Sequence, residues 1–310
     1  MFRNRWVKGT WLLLCALWAV PAMARDIVFQ PVAEGVFAFI GDTGGRSYDN
    51  DAIDANLGLV VTSAGAVLID SGASYRGAQK VAAAARQVTD QPIRWVINTG
   101  NQDHRWLGNG YFKEQGAEIL AHVAGRTHMQ DAGGQMVGRL RPILKDKLRG
   151  TVPTMPSRWL EGPENTLSLG GTDIRVLHRG GGHTPGDIIL WLPASQVAFA
   201  GDVVYVERML GMNPASRTQP WLDSFAALEA LQPRTIVPGH GGPTTLAQAR
   251  KDTRDLLRAL RQHMGQALED MQDMDSAIKS LDPAPFQYLL HADVWLPQLA
   301  NRTYLDMEKE

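Results

Sequence analysis

The chain has 310 residues, about 44% of them apolar, enough to bury a sizeable core as one large domain or two fused halves. Lysine and arginine number 31 against 32 aspartates and glutamates, a formal net charge of -1. That balance argues against a nucleic-acid surface or a polybasic membrane patch, so chemistry must come from local sites.

The N-terminus has the layout of a secretory leader. Arg3, Arg5 and Lys8 precede the apolar run from Trp11 to Val20, and Pro21-Ala22-Met23-Ala24 supplies small residues before a cut after Ala24. The run is too short to span a bilayer. The expected mature chain is residues 25–310, exported to the periplasm and mildly acidic. Cys15 is the only cysteine and lies in the leader, so the mature chain has no disulfide, thiolate nucleophile or Cys ligand. Short strands are expected at Ile27-Val28-Phe29 and Val36–Ile40, followed by a polar, glycine-containing loop from Gly41 to Asp54. Next come strands at Asn56–Val61 and Ala66–Ile69, the second running into Asp70, and an alanine-rich helix from Gly77 to Val88.

Ile93–Ile97 is a short buried strand, and Asn98-Thr99-Gly100-Asn101-Gln102-Asp103-His104-Arg105-Trp106-Leu107-Gly108-Asn109 follows it. A strand fixes the backbone while the loop after it frees ligand-type side chains to point into a cleft. Three later pieces share this placement at strand ends. Gly182-His183-Thr184-Pro185-Gly186-Asp187 precedes the strand Ile188–Leu192, Val197–Gly201 ends in Asp202, and Thr235–Gly239 ends in His240. Two carboxylates (Asp103, Asp202) and three histidines (His104, His183, His240) at strand ends suggest one metal site. Glu118–His122 is a further strand, and 125–165, without steady periodicity, is expected as a helical-to-irregular insertion over the cleft that forms a substrate-facing lid. Asp70 is expected to orient loops by hydrogen bonds, His122 and His178 to serve the core or surface, and Trp106 to pack in the core. From about residue 244 the tail is helical, with Thr244 or Thr245 as cap and Leu256, Leu257, Leu260, Met264 and Leu268 on one face. Two β-α-β halves with ligands at strand ends predict an α/β fold. Its form is an αββα sandwich of two mixed sheets with outer helices and metal along the shared edge.

Leu68-Ile69-Asp70-Ser71-Gly72, Asp103-His104, Gly182-His183-Thr184-Pro185-Gly186, Ala200-Gly201-Asp202 and Pro238-Gly239-His240-Gly241, in this order, resemble the metallo-β-lactamase superfamily over nearly all of the mature chain. The segment Gln102–Asn109 and the leader are similar to its quinoprotein-relay (SoxH-like) branch. The family hallmark is His-X-His-X-Asp-His, and Thr99 and Asn101 stand where its first two histidines would be. The resemblance implies a first zinc held by those two histidines with the match to His183. It implies a second on the matches to Asp103, His104 and His240, with Asp202 as the bridge. Four N or O ligands suffice for one zinc, whereas neutral Thr and Asn oxygens are poor ligands. One metal per chain is therefore expected, zinc first among divalent ions, on Asp103, His104, Asp202 and His240, with His183 either a ligand or beside one. Asp103 or Asp202 would position water or take its proton.

The expected activity is an exported metal-dependent hydrolase acting on an ester, thioester, amide or lactam of a small molecule. The alternative is a non-catalytic or accessory binding protein of a periplasmic quinoprotein oxidation system. Iron-dependent oxygenation of sulfur compounds is disfavoured, because that branch needs the first motif histidine, which is Thr99 here.

Overall fold

The computed structural model describes residues 26–310, so the leader expected at 1–24 lies outside the described residues. Two sheets pack face to face. The first, in spatial order, runs β1 (Gln30–Ala33), β2 (Val36–Phe39), β3 (Leu57–Thr62), β4 (Gly65–Ile69), β5 (Ile93–Ile97), β6 (Glu118–His122) and β7 (Arg158–Leu160). Its first four strands pair antiparallel and β4 to β7 pair parallel. The second sheet contains β8 (Glu164–Leu169), β9 (Thr172–Leu177), β10 (Ile189–Leu192), β11 (Val197–Tyr205) and β12 (Thr235–His240), in the order β12-β11-β10-β9-β8. Only β11 and β12 are parallel within it.

The strands buried on both faces explain the continuous apolar runs in the sequence. In β4, Val67 and Ile69 face the second sheet and meet residues such as Leu190, Phe199 and Val237. Ala66 and Leu68 face outward onto α1 (Tyr75–Ala85), which buries Ala78, Val81 and Ala85 at helical spacing. Ser74 caps α1 by accepting from the Gly77 amide, as an N-cap serine should. On the other side, Ala198 and Ala200 of β11 lie under α5 (Thr218–Leu231), α6 (Asp255–Glu269) and α7 (Ala292–Met307) through Trp221, Phe225, Leu257, Leu260 and Leu296. The expected αββα sandwich is the observed one.

Two elements differ from expectation. The first strand starts at Gln30 rather than Ile27, and Phe29 is buried just ahead of it. The segment 125–165 is helical in part, as expected, but packs as a brace and not as a lid: it forms the 19-residue helix Arg126–Leu144 (α4) and the edge strand β7. Met129, Met136, Leu140 and Leu144 of α4 bury against Trp106 and Leu107, at the end of the short helix Asp103–Trp106 (α2) and just ahead of Asn109–Glu114 (α3). The glycines of α4 hid its periodicity, and Gly133 sits where the helix crosses Trp106, where a Cβ would make a tight contact 3.0 Å from the indole.

Candidate metal centre

The parallel strands β4, β5 and β6 deliver their C-terminal ends to one edge, and β11 and β12 deliver theirs to the same edge from the facing sheet. Ligands gather at such ends because helical turns and loops begin there. Asp202 projects from β11 where the ladder shifts register around Gly201, whose φ of +49° a glycine adopts freely. Gly239 lets β12 come close, for a Cβ there would fall 2.6 Å from both Arg105 and Asp202.

His104, Asp202 and His240 converge, each offering an atom within 4.8 Å of the others, and all three are buried. His104 Nε2 stands 3.5 Å from Asp202 Oδ2, and His240 Nε2 stands 3.4 Å from Asp202 Oδ1. His240 donates from Nδ1 to the Asp54 carbonyl at 2.9 Å, which turns Nε2 toward the cluster in the tautomer a metal ligand needs. Tyr205 stacks on the same ring with 4.7 Å between centroids. The buried His104 Nε2 finds no hydrogen-bond partner among the described residues. An orphaned imidazole nitrogen facing a carboxylate and a second imidazole fits one divalent ion with nitrogen and oxygen ligands.

The electrostatics are set by two arginines. Arg105 is wholly buried and donates to Asp202 at 2.6 and 3.2 Å, to Asp70 at 2.9 Å and to the Asn56 carbonyl at 3.1 Å. Burial pushes the Asp202 carboxyl up, but Arg105 and the two histidines outweigh it and hold Asp202 well below the usual carboxylate range. Breaking such a buried ion network by removing one partner costs about 3–5 kcal/mol. Asp70, in a left-handed conformation with φ of +63°, also accepts from the Thr99 amide and hydroxyl at 2.7 Å each. It orients loops, in agreement with the sequence reading. Burial lowers His240 to about 4, so its imidazole is neutral at physiological pH. For His104 burial acts downward too, yet Asp54 and Asp202 raise it.

Asp103 is not in the converging trio. Both of its oxygens go to Arg46, at 2.6 and 2.7 Å, and Arg46 also reaches His104 Nδ1 at 2.7 Å and Asp54 at 3.3 Å. His183 lies to one side, between the Gln102 side chain and the Gly211 carbonyl, 2.8 Å from the latter. Thr99 is committed to Asp70, and Asn101 accepts from the Gly186 amide at 2.8 Å while its amide nitrogen meets His128. The positions of the two missing histidines are thus built into the scaffold. His122 and His178 stack on each other, 3.8 Å between centroids, and take no part in the trio.

Sequence reading passed over Arg46, Arg105, Arg208 and Trp295. Arg105 stood inside the motif, adjacent to His104, and an arginine following two ligand-type residues could have been taken as their counter-charge. Arg46 and Trp295 come from a loop and a terminal helix far away in the chain, and nothing local marks them.

The residues from 51 to 240 match the family model of the metallo-β-lactamase superfamily, and the chain belongs to that superfamily of metallo-hydrolases. It is 30% identical over 264 residues to a metallo-beta-lactamase type 2 of Bacteroides fragilis, covering 79% of this chain and 95% of that one. It is 28% identical over 229 residues to the acyl-coenzyme A thioesterase MBLAC2 of Gallus gallus, covering 68% and 79% respectively. The fold is shared with a metallo-beta-lactamase from Pontibacter korlensis at a TM-score of 0.61 and 19% identity, over 75% of this chain and 99% of that one. It is also shared with the sec-alkyl sulfatase PisA1, a double mutant, at a TM-score of 0.72 and 15% identity, over 91% of this chain and 50% of that one.

Proposed function

We propose that the protein is an exported hydrolase that uses one divalent metal, zinc first among candidates, to cleave an ester, thioester, amide or lactam bond in a small molecule. The observation that carries this reading is the orphaned His104 Nε2 facing Asp202 and His240 in one buried corner. These three residues would hold the ion. Bound there, zinc acts as a Lewis acid and lowers the pKa of water toward neutrality. Asp202, kept ionised by Arg105, supplies negative charge and is a poor proton acceptor. Asp103, the other motif carboxylate, is buried and held by Arg46 through both oxygens, so it would position water or take its proton only on parting from that arginine. The thioesterase and β-lactamase relatives support hydrolysis as the reaction class.

The test is metal analysis of the purified protein joined to a screen of ester, thioester and lactam substrates. About one tightly held metal per chain is expected, lost in His240→Ala and largely kept in His183→Ala. A metal-stripped preparation with undiminished turnover would sink the proposal. Export is tested separately: the mature N-terminus should be Arg25, and an intact Met1 in a membrane fraction would show an anchor instead.

The wiring of Thr99 and Asn101 into the scaffold favours a second reading, an accessory binding protein, for instance of a periplasmic quinoprotein oxidation system. Metal-dependent turnover of any screened substrate would remove it.

A further inference from the structure

Two histidines that the trio does not use meet where the sheets join. His122 ends β6 of the first sheet, and His178 follows β9 of the second. Their rings stack, 3.8 Å between centroids and 24° between planes. Hydrogen bonds fix where each proton sits. His122 Nδ1 accepts from the Ala124 amide at 3.3 Å, so its own proton is on Nε2 and goes to the Gly162 carbonyl at 2.9 Å. His178 donates from Nδ1 to the Asp187 carbonyl at 3.0 Å, and its backbone amide donates to the Pro163 carbonyl at 3.0 Å. Its Nε2 bonds to no described residue. The pair thus ties together the loop between β7 and β8 that crosses from one sheet to the other, the turn Gly182–Asp187 that carries His183, and the turn ahead of α4. Neither ring lines the cavity of about 300 Å³ beside the trio, whose walls include Arg46, Asp54, His104, Arg208, His240 and Trp295.

Neither ring takes up a proton without cost. On His122 Nδ1 it would face the Ala124 N–H, donor against donor. On His178 Nε2 it breaks no bond, but it charges a ring stacked on His122 and next to Arg179. A second proton would set like charges at stacking distance. The surrounding groups offer little relief. Glu161 favours a charged His122 but is exposed, and Glu164 is engaged by Arg175 at 2.6 Å and stands 3.8 Å from Arg179. Arg126 lies over Trp159, His128 is turned to Asn101, and the Asp187 carboxyl is bonded to Thr184. Burial holds both imidazoles below their usual range, and for His178 the neighbouring His122 and Arg179 act the same way. We infer that His122 and His178 form a pH-sensitive clasp between the two sheets, closed while both rings are neutral and released by protonation on acidification. The unfolded chain takes up these protons as pH falls through the ordinary 6.5, whereas the clasp resists them. Its contribution to stability is therefore complete above that value and is lost as pH falls below it. Release frees the Asp187 carbonyl and loosens the mount of His183.

Nitrogen-15 NMR of the imidazoles, at matched metal content, is the first test and needs no variant. At pH 7.5 His122 should carry its proton on Nε2 and His178 on Nδ1, and both should titrate below 6.5. Hydrogen exchange is the second. Between pH 7.5 and pH 5.5, amides in residues 120–126, 160–165 and 178–188 should exchange about fivefold faster once the intrinsic effect of pH is removed, while 65–69 in β4 keep their protection. His178→Phe keeps a stacked ring that cannot be charged. Its exchange in these segments should show no such step, and in urea unfolding it should gain on the parent as pH is lowered. Either ring titrating at or above 6.5, the opposite tautomers, or faster exchange in 65–69 by the same factor would each overturn the clasp. So would an equal step in His178→Phe, or stability curves for the two proteins that run parallel. The tautomer and titration measurements decide the matter even if His178→Phe does not fold.

Discussion

Arg46 sets the state of the residues nearest the trio. Because its guanidinium can only donate, His104 Nδ1 must accept, which leaves the neutral ring's proton on Nε2, the nitrogen that faces Asp202. A metal ligand needs the opposite tautomer, with Nδ1 donating to a carboxylate, and Asp54 Oδ1 stands 3.3 Å away to receive it. Arg46 also neutralises Asp103. It therefore competes with the ion for the same side chains. Arg46→Ala should tighten metal binding by about tenfold, read by competition with a chelator of known affinity. If the variant bound metal more weakly, Arg46 would be a support for the ligands and not a competitor.

At the scale of elements, α4 is a brace. It presses Trp106 toward the sheet and so fixes the turn that carries His104, without lining the cavity. Met136→Ala, at a side chain 1% exposed, should cost about 2–5 kcal/mol in denaturant unfolding and leave metal stoichiometry unchanged. A lid would behave in the reverse way, with little stability lost and substrate affinity altered. The contrast separates the observed packing from the role expected of residues 125–165.

For the molecule as a whole, pH dependence is shaped by Asp187 at the seam between the loops after β5 and β9. Burial, with Asp202 nearby, pushes its carboxyl up from 3.8 to about 8, despite two hydrogen bonds from Thr184. Between those values the folded chain keeps a proton that the unfolded chain gives up. This group's contribution to stability is complete below pH 3.8, declines as pH rises, and is gone above about 8. Asp187→Asn should remove that slope, so its advantage over the parent in urea unfolding should grow from pH 5 to pH 9. Parallel stability curves for the two proteins would rule the account out.

The periodic apolar runs at Ile93–Ile97, Glu118–His122 and Val197–Gly201, each leading to a ligand-type residue, specified the two-sheet architecture and the edge where chemistry would gather. Strand burial is a local pattern, which a single sequence displays directly. His104, Asp202 and His240 were legible for the same reason, since each sits one step beyond such a run or its loop. Tertiary structure alone decided how the charges pair. Asp103 and His104 adjoin in sequence, yet one is turned to Arg46 and the other to Asp202, because the loop carrying Arg46 folds across the edge from 57 residues away. Arg105, adjacent to His104, is claimed by Asp70 and Asp202 from different strands, while Arg208 lies over a tryptophan of the last helix and pairs with no carboxylate among the described residues. Pairing of buried charges depends on distances of a few ångströms between distant segments, and no spacing along the chain encodes them.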